Sequence, residues 1–149
     1  MTRLAIALAL FGLAACPGPK KPTTTTDQGT GEPVLAKKLS IAWGITQQGE
    51  MADLFLQVTD ETGKQVSHEL GRWKGTCAPD KAQDNMKAMI ALSCRTGGTG
   101  TQLQAIQQGG DEIVIMKLGI DEGVMPDPMA REEVKRIKVP LGVAIEAGS

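Results

Sequence analysis

The chain has no tyrosine, one histidine, two tryptophans and two phenylalanines in 149 residues. One phenylalanine, Phe11, falls in an apolar N-terminal stretch, so Trp43, Phe55 and Trp73 are the only aromatic rings left for a folded core. Such a core must be built from Leu, Ile, Val, Met and Ala, each of which buries less area than a ring. A covalent staple would therefore help. The single histidine, His68, leaves little for a metal site or a catalytic dyad. Neither charge sign is in surplus, with 16 Lys and Arg against 17 Asp and Glu and a net charge of −1. That balance argues against nucleic acid as a partner, because a polyanion is bound by a basic surplus. The longest apolar run, Leu4 to Leu13, has about ten residues, and a membrane-spanning helix needs roughly 20. No stretch reads as a convincing amphipathic helix, and no segment repeats.

What is present begins with punctuation. Met1-Thr2-Arg3 carries one positive charge, the apolar run follows, and Leu13-Ala14-Ala15-Cys16 closes it. Pro17-Gly18-Pro19 then breaks any helix at once. This order of parts is that of a signal peptide. Leu13-Ala14-Ala15-Cys16 resembles the lipobox of bacterial lipoproteins. The resemblance covers only the first sixteen residues and implies cleavage before Cys16. It also implies lipid on the Cys16 sulfur and an acylated new N-terminus. Two or three acyl chains make a stable anchor where one is marginal. By the family's sorting pattern, Pro17 in place of an aspartate favours the outer membrane. The expected organisation is a signal peptide over 1–15, a lipidated cysteine and flexible tether over 16–38, and a globular domain over 39–149.

The tether holds four prolines and the run Thr23 to Thr26, with no apolar periodicity. Such a segment buries too little surface to offset its ordering entropy. With Cys16 assigned to the anchor, Cys77 and Cys94 remain. In an exported chain an even remainder reads as a disulfide. Zinc is the competing reading, and it would need further ligands at close spacing.

Beyond the tether, alternation of apolar and polar residues dominates. Leu39, Ile41, Trp43 and Ile45 share one face of a strand, and Leu54, Leu56 and Val58 share one face of the next. Asp60-Glu61-Thr62-Gly63-Lys64 reads as a hairpin turn. Gln65 to Leu70 follows, Gly71 interrupts, and Arg72 to Cys77 resumes the strand. Ala78 to Asn85 reads as a loop or single helical turn before a strand from about Met86 to Arg95. Thr101 to Gln107 is a polar strand. Gln108-Gly109-Gly110-Asp111 is a second hairpin signal. Ile113 to Leu118 is apolar enough to be buried on both faces. Glu133 to Val139 and Leu141 to Ile145 end the chain. The sum is an all-β domain, a small antiparallel sandwich or barrel of about eight strands.

Candidate chemistry is thin. Ser67 and Glu69 alternate away from His68 on a strand, so His68 has no local partner for acid–base work. Gly97, Gly98 and Gly100 join strand to strand, whereas a phosphate loop leads into a helix. Asp111 with Glu112 and Asp121 with Glu122 bracket one strand, which puts the pairs roughly 30 Å apart, beyond a glycosidase's reach. The loop from Asp121 to Asp127 lacks the regular spacing of a calcium loop. Arg131, Lys135, Arg136 and Lys138 make a basic segment of the kind that protects an edge strand. Trp73, between Arg72 and Lys74, is the residue to watch as a contact surface. No catalytic, cofactor or metal residue is expected. The expectation is a lipid-anchored, non-enzymatic binding or structural module of the cell envelope, whose partner is the membrane and an envelope protein or glycan. The alternative is an inhibitor of a hydrolytic enzyme such as a lysozyme or protease. Envelope lysozyme inhibitors are similar in size and layout, but their Ser-Gly-x-x-Tyr motif is missing. An envelope hydrolase is the remaining class.

Overall fold

Alternation becomes sheet structure wherever one face can be buried, and here two sheets bury each other's inner faces. The computed structural model describes residues 37–82 and 87–148. Residues 1–36, where the signal peptide, Cys16 and most of the tether are expected, lie outside the described residues. The strands are β1 (Lys38–Gln48), β2 (Met51–Asp60), β3 (Gln65–Lys74), β4 (Thr76–Asp80), β5 (Ile90–Thr96), β6 (Thr99–Gln108), β7 (Glu112–Asp121), β8 (Glu132–Lys138) and β9 (Ala144–Ala147). One sheet has the order β3-β2-β1-β9 and the other β4-β5-β6-β7-β8. The fold is a small all-β sandwich. All strand pairs are antiparallel except β1 with β9, which is parallel.

The inner faces carry the aliphatic core the composition requires. Ile41 on β1 and Leu54, Leu56 and Ala52 on β2 are fully buried, as are Leu92, Leu103, Ile113 and Ile115 from the opposite sheet. Trp43 and Ile45 pack against this cluster from β1. β7 is buried on both faces at Ile113, Val114 and Ile115, which accounts for its continuous apolar run.

Nine strands form among the described residues, in line with the expected count of about eight, and β4 changes the reading of residues 72–80. Arg72 to Cys77 is not one resumed strand. The chain leaves the first sheet at Lys74, turns at Gly75 and starts β4 in the second sheet. Gly75 has φ +106, and a Cβ there would collide with the Arg95 carbonyl, so glycine is required at this crossover. Ala78, Pro79 and Asp80 belong to β4, not to a loop. Pro79 is tolerated because β4 is an edge strand. The Gln47 amide ties the crossover to β1. It donates to the Gly75 carbonyl at 3.0 Å and accepts from the Cys77 amide at 3.2 Å. β5 starts at Ile90 rather than near Met86.

The expected interruption at Gly71 is a β-bulge, where Gly71 pairs with Leu54 but Glu69 pairs with Phe55. β4 and β5 place Cys77 directly opposite Cys94. The two form a disulfide, with an S–S distance of 2.03 Å and Cα atoms 4.0 Å apart. With each sulfur bonded to the other, the zinc reading falls. The bridge sits at 8% and 1% exposure and joins edge strand β4 to its neighbour inside the core.

Candidate functional site

The outer face of the five-stranded sheet buries polar side chains at its centre. Ser93, Gln102 and Gln104 point outward from β5 and β6, yet Gln102 and Gln104 are fully buried. Gln102 Nε2 donates to the Lys81 carbonyl at 2.9 Å and to Ser93 Oγ at 3.1 Å. Ser93 Oγ donates to Asp80 Oδ2 at 2.6 Å, and Gln104 Nε2 donates to Gln102 Oε1 at 2.9 Å. This chain of amides reaches the Lys81 carbonyl just after β4, and Pro126 of the β7–β8 loop is buried as well. The sequence reads this strand simply as polar. The signal available there was Gln102 and Gln104 alternating with the core residues Leu103 and Ala105.

A mostly apolar concavity lies elsewhere, in the seam where edge strand β3 faces edge strand β8. Leu39 of β1, Val58 of β2, and Val66 and His68 of β3 form one wall. Ile137 of β8, Val139 and Pro140 form the other. These are inner-face residues of both sheets, left without a covering strand because neither edge extends over the gap. The cavity measures about 310 Å³, the lower end of the range for small-molecule sites. Lys64, Lys138 and Asp60 also line it. A second recess of about 290 Å³ adjoins it, sharing Leu39, Asp60 and Pro140 and adding Lys37 and Val143.

The two edge strands are bridged beside His68. Lys135 Nζ crosses from β8 and donates to the Glu69 carbonyl of β3 at 2.8 Å. Along an antiparallel strand a residue's N–H and C=O point to the same neighbour, and direction alternates with each residue. Because Glu69 faces the free edge, Ser67 and Gln65 do too. The Leu70 carbonyl, after the bulge, accepts from Trp73 Nε1 at 3.0 Å. Two residues of open edge therefore remain beside the groove.

His68 lines the groove and sits half-buried. Burial and, less strongly, the Lys135 ammonium push its imidazole below the ordinary histidine range. It has no hydrogen-bond partner among the described residues. Asp60 lies on the same groove, but its Oδ1 accepts from the Thr62 amide, the Thr62 hydroxyl and the Lys64 amide. The Thr62 hydroxyl is the main cause of its lowered pKa. The carboxylate thus closes its own turn, and no dyad with His68 forms.

Other residues singled out from the sequence are placed as follows. Trp73 is half-buried and packs against the core containing the disulfide. Trp43 is also half-buried on the inner face. Gly97 and Gly98 form the turn between β5 and β6, and Gly100 opens β6. Glu112 and Glu133 both pair with Arg136, the latter at 2.7 Å. Lys135 turns toward β3, Lys138 lines the groove, and Arg136 is held by carboxylates, so the basic segment does not act as one patch. Val124, Met125 and Met129 are exposed in the loop between β7 and β8, at 60%, 80% and 90%. Among the described residues no cluster of His, Cys, Asp and Glu could hold a metal ion, and no helix is long and apolar enough to cross a membrane. Comparison with protein-family models, curated proteins and solved structures returns no match.

Proposed function

We propose that the chain is a lipid-anchored protein of the cell envelope, at the outer membrane, whose sandwich is a non-enzymatic binding module. The observation that supports this reading is the Cys77–Cys94 bridge. Disulfides persist in oxidising compartments outside the cytoplasm, the same address that Leu13-Ala14-Ala15-Cys16 implies. A binding role, rather than a purely structural one, is supported by the apolar seam groove, a concave site without an acid–base pair. The test is partitioning. The wild-type chain enters the detergent phase of a membrane extract, and a Cys16→Ala variant stays in the aqueous phase. Identical partitioning of the two would remove the anchor from the account.

One observation favours the inhibitor reading as an alternative. The β7–β8 loop exposes Val124, Met125 and Met129 at the end of the sandwich opposite Lys37. Exposed apolar side chains grouped on one loop mark a protein contact site. Inhibition of a purified envelope hydrolase that is lost in Met125→Asp would establish it. Full inhibition by that variant would discard it.

A further inference from the structure

Three features of the seam groove point to one kind of occupant. Its walls are mostly aliphatic, its two edge strands are bridged beside His68, and two lysines line it against one carboxylate. The walls come from Leu39, Val58, Val66, Ile137, Val139 and Pro140, with His68 the one imidazole among them. The bridge is the bond from Lys135 to the Glu69 carbonyl, 2.8 Å long, which ties the two edge strands together. Lys64 and Lys138 line the groove and make no salt bridge among the described residues, and the Lys64 ammonium acts on Asp60 only through space. The one carboxylate there, Asp60, is turned into its own hairpin.

These features separate two occupants. An extended peptide would add to the edge of β3, and main-chain pairing would supply its affinity. Only Gln65 and Ser67 offer outward backbone groups before Lys135 closes the edge. Two residues are too few for a specific ladder. A single aliphatic chain needs no ladder. It buries methylenes against the walls at about 0.8 kcal/mol each and leaves its head group to the polar lining. That lining holds two ammonium groups against one carboxylate, so the head group is an anion.

We propose that the groove between β3 and β8 binds a free single-chain amphipathic carboxylate, of the fatty-acid class. The chain lies against Val66 and Ile137, and the carboxylate meets Lys64 and Lys138. This deepens the binding-module reading and names its ligand, and it does not depend on where the protein is anchored.

Calorimetry with decanoate tests it. The protein is the full chain carrying Cys16→Ala, so that no detergent competes for the groove. Decanoate binds saturably at one site. Hexanoate binds on the order of 100-fold more weakly, as four fewer buried methylenes require. Lys64→Gln with Lys138→Gln weakens decanoate about tenfold and leaves decanol unchanged. Val66→Asp sets a charge on a side chain that is already 47% exposed and abolishes binding of both. Circular dichroism confirms that each variant keeps its strands. Four results would overturn the proposal: no saturable heat with decanoate, binding that survives Val66→Asp, equal loss of decanol and decanoate in the lysine variant, or binding to anionic phospholipid vesicles alone. Absent decanoate binding with detergent partitioning intact sinks the ligand and spares the anchor. The reverse pattern sinks the anchor and spares the ligand.

Discussion

Removing the Cys77–Cys94 bridge is the most informative perturbation of the fold. The cysteines are 17 residues apart. In the chain-entropy model, closing a loop of that length removes enough disorder from the unfolded chain to stabilise the fold by about 3 kcal/mol. Marginal domains have ~5–15 kcal/mol in total, and this core has few rings to deepen it. The bridge is therefore a large share of the stability. It also fixes β4, a five-residue edge strand that carries the Asp80 end of the buried polar chain. Cys77→Ala with Cys94→Ala should lower the unfolding free energy by about 3 kcal/mol in urea and the midpoint temperature by roughly 10–20 °C. The urea m value should rise, because an unlinked unfolded chain exposes more surface. Wild-type protein treated with reductant should match the variant. A loss below about 1 kcal/mol with unchanged m would refute the reasoning. So would two free thiols titrated in native protein that was never reduced.

Further outcomes follow from the packing and the charges. Gln102→Leu should cost about 1–3 kcal/mol, because the Lys81 carbonyl and Ser93 lose their buried donor; an unchanged melting temperature would contradict that. Gly100→Ala should destabilise by about 1–3 kcal/mol, since its Cβ would collide with the Cys94 carbonyl, whereas Gly119→Ala, with open space around it, should be close to neutral in the same melt. Stability should fall in two steps on acidification. His68 has a depressed pKa in the folded state, so the unfolded chain binds the proton first, and stability is lost as pH drops below about 6.5. His68→Gln should erase that step. Asp53 beside Arg72, Asp60 in its turn and Glu133 beside Arg136 are held below the usual carboxylate range. Their contribution is complete above about pH 4.5 and is lost as pH falls further. Denaturant midpoints measured across this range should show both steps.

Particular residues explain what the sequence made legible. β1, β2 and β7 were readable because Ile41, Leu54, Leu56 and Ile113 to Ile115 follow the period of a buried face. The disulfide was readable from cysteine arithmetic alone, once Cys16 was set aside. β4 was not, because Pro79 and Asp80 resemble loop residues and only an edge position admits them. The burial of Gln102 and Gln104 was hidden because it depends on partners distant in sequence, such as the Lys81 carbonyl and Ser93 that Gln102 meets. The groove was least visible of all. It joins Leu39, Val66 and Ile137, which sequence keeps far apart and each of which reads as ordinary core. Only the failure of β3 and β8 to cover the seam turns them into a site.

The central claim is an exported, lipid-anchored and disulfide-stapled chain. The intact mass of the protein extracted from membranes without reductant tests it most directly. The account predicts a mass that fits cleavage before Cys16, added acyl chains, and two hydrogens fewer than the reduced Cys77–Cys94 pair. An uncleaved or unlipidated chain with both thiols free would contradict it.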